Sequence, residues 1–382
     1  MKFLNIFLIH SLIFINLESS FIYKKNIEQF IYQYPATKVI QCTHNYRFSY
    51  PEFPLYQTYK AKRFPNEGMH TDIFILEVPH GLAHIHPYGF VFINNIFIKE
   101  TQLKDLDPFK EYEVIKVPEL NNVKNVAGRV LVLNHLYSYN YGLFILDVLS
   151  SLALIEMHKV EYDYVWIPYN KEFIKEALDI WGIDSSKIIP LEHGQALQAD
   201  TIIVPTNISQ NPEVYSNANY YPDFLLKYVR EKMLEGVQKK NIQMDFPEKI
   251  FISRKDASAS RKIPNEDEVF ALFEPLGYQR FEFSKFSMAE KIAVTHHAKS
   301  IVTFMGSGST NILFASSDIK FYEIHQNWVE ATFYFIAKSL GFHYDCMNDS
   351  TYLDLCTGMP WSQGRPLNIQ VVKEFIKNHP EL

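Results

Sequence analysis

From about residue 130 the chain alternates apolar strand runs with helical stretches of amphipathic period, and this alternation limits the fold more than any other feature. RVLVLNH reads as a strand, LFILDVLSSLALIEMH as a helix, DYVWIP as a strand, and KEFIKEALDIWG as a helix closed by Gly182. KIIPLE and ADTIIVPT continue as strands, and PDFLLKYVREKMLEGV as a helix ended by Gly236. The rhythm then repeats. EKIFISR is a strand, followed by a helix starting at Pro264 and Asn265 whose first turn, Glu266, Asp267 and Glu268, suits the positive helix end. Gly277 stops it. YQRFEFS is a strand, and Ser287 with Glu290 three residues on forms a capping box for MAEKIAVTHHA. SIVTFM, NILFASS and IKFYEIH complete the pattern as strand, helix and strand. Such alternation builds parallel sheets covered by helices. A chain of 382 residues is long for one core, so two α/β domains are expected, divided near 210–245.

Ahead of this block, TDIFILEVPHG and HIHPYGFVFINNIFIKE read as strands broken by Pro, Gly and Asn-Asn. Hydrophobic residues make up 47% and charged residues 21%, an ordinary globular composition. A net charge of -6 gives no reason to expect a nucleic-acid partner. The three cysteines, Cys42, Cys346 and Cys356, have no metal-type spacing; a Cys346–Cys356 disulfide is open to the chain in an oxidising compartment. The N-terminus, MKFLNIFLIHSLIFINLESSF, has one Lys, an apolar run from Phe3 to Leu17 and small residues at Ser19 and Ser20. That is the shape of a secretory signal over residues 1–20, or of a single membrane anchor if the run extends to Tyr23; a buried first helix of the fold is the plain structural reading. The expected location is the secretory pathway or cell envelope, with membrane association through residues 3–23; an anchored domain facing the cytoplasm is the other arrangement.

SIVTFMGSGSTNILFASS, residues 300–317, places Gly306, Ser307, Gly308, Ser309, Thr310 and Asn311 between a strand end and a helix start. Ligands bind at the carboxyl ends of strands in such sheets. Free backbone N–H groups and two glycines there suit a diphosphate. The same residues also serve a plain tight turn. Two further stretches fall at equivalent places. Arg254 and Arg261 in FISRKDASASRKIPNEDE lie just past a strand end, where guanidinium forks match phosphate oxygens. Glu323 in IKFYEIH ends the next strand, where an acid accepts hydrogen bonds from ribose hydroxyls. Surface arginines and a strand-end acid paired to a base are the ordinary readings of each. Three signals at one sheet end describe a nucleotide diphosphate site.

These residues resemble glycosyltransferase family 61. Arg254, then Arg261 followed by Asn265 and Glu266, the capped helix at Ser287, MGSGSTNILF and Glu323 are similar to the family string R-x(n)-R-x-x-x-N-E, H-G-A-G-L-T-N-x-x-F and a later acid. Asn140, Tyr141, Asp147 and Leu149 match the family's N-Y-Y-H-W-x-x-D-x-L-P-R-L. The resemblance runs from about 70 to 345 and is strongest over 250–324. It implies a GT-B type fold, two Rossmann-like domains with parallel sheets facing a cleft. Residues 21–220 would form the acceptor-side domain and 221–345 the nucleotide-sugar domain. The tail, 346–382, is expected to pack back on the N-terminal domain. Family members are inverting transferases without a bound metal. The implied partners are a nucleotide-sugar donor, which is a substrate and not a cofactor, and a glycan or protein acceptor. Two family histidines are replaced, by Met305 and Leu143, and this motivates a second reading: a transferase-like protein that binds nucleotide or glycan with impaired turnover.

An inverting transfer needs one base for the acceptor hydroxyl. Asp147 is the candidate, because it matches the family motif and is costly inside LFILDVLSSL without a partner. A structural cap is its other reading. His135, just past a strand end, is the candidate replacement for the missing histidine. Arg254, Arg261 and the Gly306–Asn311 stretch would meet the leaving charge. A third reading is a metal-dependent transferase using Asp105 and Asp107, which have acidic-pair spacing. His80, His84 and His86 lack a carboxylate or Cys to complete a metal set, and His296-His297 points two ways on a helix. The chain carries no nucleophile elbow and no Walker motif.

Overall fold

The second half of the chain forms a five-stranded, all-parallel sheet in the order Gln279–Phe281, Lys249–Ile252, Ser300–Phe304, Lys320–Gln326, His343–Asp349. The computed structural model describes residues 21–54, 67–85, 91–101, 114–116, 123–134, 138–191, 195–209, 219–258, 261–326, 329–350 and 364–382. Helices Glu266–Phe273 and Met288–His297 cover this sheet. The Ser287–Glu290 capping box is present in full, and Gly277 closes its turn in the left-handed region at φ 91°.

The first sheet departs from expectation. Its centre is parallel, in the order Ile188–Pro190, Tyr164–Ile167, Val123–Val132, Ala196–Pro205. Antiparallel strands then extend it: Phe74–Pro79 and Leu82–Ile85 both pair with Ala196–Pro205, and nine of the eleven strands form one continuous path. The early strands are joined by tight turns such as Asn94–Asn95, both at positive φ, and short turns impose antiparallel pairing. The architecture is α/β with two sheet units facing a cleft, as GT-B type requires, but the first sheet is mixed.

The two units share one apolar core. Leu131, Ile203 and Leu152 belong to the same buried cluster as Ile250, Ile301 and Phe321. Helix Asp223–Gln238 lies between them and touches helices of both. Gly236 does not end this helix, contrary to the sequence expectation. A Cβ there would sit 2.0 Å from the Ile180 carbonyl oxygen, so the glycine allows two helices to approach closely.

Two other elements differ. The stretch expected as one helix from Leu143 is helical over Tyr141–Leu143, π-helical over Phe144–Val148 and α-helical over Leu149–Met157. The described part of the tail packs on its own sheet rather than on the N-terminal unit. Helix Ile369–Asn378 lies on Glu266–Phe273 and His343–Asp349, with Leu367, Val372 and Phe375 in the core that holds Phe251 and Phe273. The apolar stripe of this helix matches the outer layer of its own sheet. Cys346 is buried and makes no disulfide with a described residue, and Cys356, its expected partner, lies outside the described residues. Among the described residues no helix is long and apolar enough to cross a membrane. The apolar run of residues 3–17 lies outside them.

Candidate active site

A cavity of about 620 Å³ opens between the units, within the range of small-molecule sites. Its lining includes Arg254, Arg261, Gly306, Ser307, Gly308 and Asn311 from the second unit, and Asn140, Tyr141 and Phe173 from the first. Six of the residues expected to bind substrate therefore meet at one place.

Each wall has a local cause. Lys249–Ile252 ends at Ser253 and Arg254, and the buried Glu266 carboxylate accepts from the Ser253 hydroxyl and, at 2.9 Å, from the Arg254 backbone N–H. The N-E of the motif thus holds the arginine loop in place. Asn265 is held in turn by the tail: its side chain donates to the Leu367 carbonyl at 2.9 Å and accepts from the Leu367 N–H at 2.8 Å. The Arg254 guanidinium reaches the Met305 carbonyl, so the position where the family pattern has a histidine contributes its main chain.

The opposite wall is Gly306–Asn311. Its helix, Ser307–Phe314, is 3-10, tighter than the expected α-helix. Gly306 has φ 146°, and a Cβ on it would lie 3.0 Å from Arg254 Nη1. Only glycine satisfies both conditions. The first unit closes against this wall. Asn140 Oδ1 accepts from Gly142 N–H at 2.9 Å and from Ser307 Oγ at 3.2 Å. Tyr141 OH donates to Asn311 Oδ1 at 2.7 Å, and Asn311 donates to the Gly308 carbonyl at 2.9 Å. A Cβ on Gly142 would come within 2.8 Å of Thr310 Oγ1, which explains the glycine at that crossing.

The cavity is cationic. Arg254, Arg261 and Lys291 line it, against Asp256 as the one carboxylate in the lining. None of the three cations forms a salt bridge among the described residues. Burial, and then the neighbouring Arg261, lower the Arg254 pKa to about 10, which leaves it charged at neutral pH. Burial also lowers that of Lys291, whose ammonium sits 5.2 Å from the Tyr141 ring centroid. Sequence reasoning missed Lys291. The signal was its helical position: it shares an inward face with Met288, Ile292 and Thr295, where a lysine is out of place without a function.

The remaining expected residues lie elsewhere. Ser309 and Thr310 are buried behind the wall. Glu323 has no exposed surface and does not reach the cavity, so the geometry does not offer it to a ribose. It accepts instead from Ser309 Oγ at 2.6 Å and Tyr344 OH at 2.8 Å. Asp147 is 2% exposed, on the π-helical turn, outside the cavity lining. Burial raises its pKa to about 7, against the lowering effect of the Ser209 and Tyr221 hydroxyls beside it. Its Oδ1 has no hydrogen-bond partner within ordinary donor–acceptor geometry among the described residues. His135, Asp105, Asp107 and His86 lie outside the described residues. His84 is buried and stacks on Phe92 at 4.8 Å, and His80 occupies a turn at φ 48°. Among the described residues no group of three potential ligands could hold a metal ion.

This cavity, with its two arginines, glycine turn and inter-unit contacts, lies within the segment that the family model Glycosyltransferase 61 matches, residues 141–322, with Asn140 just outside. Residues 141–322 are a glycosyltransferase 61 domain, and the chain is a glycosyltransferase. No curated protein matches the sequence. Among solved structures, the E. coli heptosyltransferase WaaC with ADP is similar at a TM-score of 0.33 and 12% identity, over 66% of this chain and 98% of that one. A superposition that loose carries no argument about the site.

Proposed function

We propose that the cavity binds the diphosphate of a nucleotide sugar, and that the enzyme transfers the sugar to a glycan, protein or polysaccharide hydroxyl in one inverting, metal-independent step. The observation that carries this reading is the meeting of Arg254, Arg261 and Lys291 with the Gly306–Gly308 backbone, with no ion-pair partner among the described residues for any of the cations. Arg254 and Lys291 are at least partly buried and form no salt bridge among the described residues; such cations are costly, and an arriving diphosphate offsets that cost.

In the reaction, the acceptor hydroxyl attacks the anomeric carbon while the bond to the diphosphate breaks. The leaving group gains negative charge, which Arg254, Arg261 and Lys291 meet with fixed positive charge. Gly306 and Gly308 let phosphate oxygens approach the main chain. Asp147 is the base proposed for the hydroxyl proton. Its pKa near 7 suits a general base at neutral pH. The apolar run in residues 3–23, in the same reading, directs the protein to the secretory pathway or cell envelope or anchors it there.

The test is turnover with a panel of nucleotide sugars, with the product anomer read by NMR, with and without a chelator. An inverted anomer and indifference to chelator are expected. A retained anomer, or activity lost in chelator, would overturn the mechanism.

A further inference from the structure

Behind the glycine wall lies a carboxylate with no access to solvent. Glu323 sits on Lys320–Gln326, opposite Thr303 of the neighbouring strand. Its Oε1 accepts from Ser309 Oγ at 2.6 Å. Its Oε2 accepts from Tyr344 OH at 2.8 Å and lies 3.4 Å from His325 Nε2, itself fully buried. Ser309 is tied a second time, because its backbone N–H donates to the Gly306 carbonyl at 2.8 Å. One residue thus closes the glycine turn with its main chain and anchors it to Glu323 with its side chain.

A neutral acceptor could hold a serine hydroxyl at less cost, since a buried carboxylate loses its hydration. The charge has a second use here. The Glu323 carboxylate acts on Arg254 across the turn and favours its cationic form. The Arg254 guanidinium reaches the Met305 carbonyl on one side of the turn, and the Glu323 carboxylate holds Ser309 on the other.

We propose that Glu323 is a positioning residue for the donor: through Ser309 it fixes the Gly306–Gly308 backbone at the height a diphosphate requires, and it does not touch the substrate. This inference rests on the reading of the cavity as the donor site.

The experiment compares Glu323→Gln, Ser309→Ala and the double variant with the wild-type chain. Nucleoside diphosphate binding is measured by calorimetry, KM for donor and for acceptor by turnover, and the melting midpoint by scanning calorimetry. Each single variant is expected to weaken nucleotide binding about tenfold, the effect of losing one charge-assisted hydrogen bond. The double variant is expected to be no worse than Glu323→Gln alone, because both act through one contact. Acceptor KM stays unchanged. Wild-type nucleotide affinity in the folded variants, with only the midpoint lowered, overturns the inference and leaves the donor-site reading standing. Losses that multiply in the double variant overturn the route through Ser309. Absence of nucleotide binding by the wild type removes the donor site itself and the inference with it. Should Glu323→Gln fail to fold, Ser309→Ala decides alone: a tenfold loss supports the inference, and wild-type affinity overturns it.

Discussion

The Tyr141 hydroxyl donates to Asn311 Oδ1 across 2.7 Å, and by that bond the first helical turn of one unit is fastened to the glycine wall of the other. The cavity is therefore a joint product of both units. Asn140 makes the parallel contact, to Ser307. A shared apolar core behind these contacts leaves the cavity preformed.

Tyr141→Phe removes this bond and keeps the ring that Lys291 faces. The Asn311 carbonyl oxygen then loses its donor in a buried place. A stability loss of about 1 kcal/mol is expected, with several-fold weaker nucleotide binding. Denaturant unfolding and calorimetry read the two effects. Because the core is continuous, a single unfolding transition is expected for wild type and variant.

Gly306→Ala tests the wall directly. At φ 146° an alanine is strained, and its Cβ would press on the Arg254 guanidinium. A cost of about 1–3 kcal/mol is expected. Nucleotide binding should fall more than tenfold in protein that still folds, by the same calorimetric measurement.

Asp147→Asn separates catalysis from stability. As the base, Asp147 must be ionised, so wild-type kcat should rise with pH through about 7. The variant should lose about 10²–10⁴ in kcat with nucleotide affinity intact. The stability effect has the opposite direction. The folded pKa is raised above the unfolded value, so this group's contribution is fully present below pH 4 or so and is lost as pH rises through about 7. At pH 8 the asparagine, which cannot ionise, should unfold at a higher midpoint than wild type. A pH series of kcat and of melting midpoints checks both signs.

The tail supports the arginine loop from outside. Asn265→Ala breaks the paired bonds to Leu367, and Phe375→Ala opens a cavity in the core that holds Phe251 and Phe273. Phe375→Ala is expected to cost about 3 kcal/mol with nucleotide affinity unchanged. Asn265→Ala should cost less stability and more affinity, because Glu266 next to it holds the Arg254 backbone. Paired unfolding and binding measurements distinguish the two.

Much of the second sheet was legible because its signals are local. The Ser287–Glu290 box and the left-handed Gly277 are set by a few adjacent residues, and they appear where the sequence places them. The glycines at 306 and 308 stand where a strand ends and a helix starts, as the sequence places them. What could not be read depends on distant partners. Gly236 looks like a helix stop in sequence, but its cause is the Ile180 carbonyl more than fifty residues away. Glu323 looks like a strand-end acid facing ligand, yet its neighbours Ser309 and Tyr344 turn it inward. The tail's apolar stripe shows that it must pack, and only the three-dimensional arrangement shows on which sheet. The replaced histidine at Met305 hid a main-chain contribution, since a carbonyl partner for Arg254 leaves no mark on residue type.

The central claim is that the cavity is a nucleotide diphosphate site. Its most direct test is calorimetric titration of the protein with UDP and GDP and their sugars, with Arg254→Ala alongside. The account predicts that one nucleotide binds to the wild type and that Arg254→Ala, still folded, loses that binding. A folded wild-type protein that binds none of them, or an Arg254→Ala variant that binds as well as wild type, would contradict it.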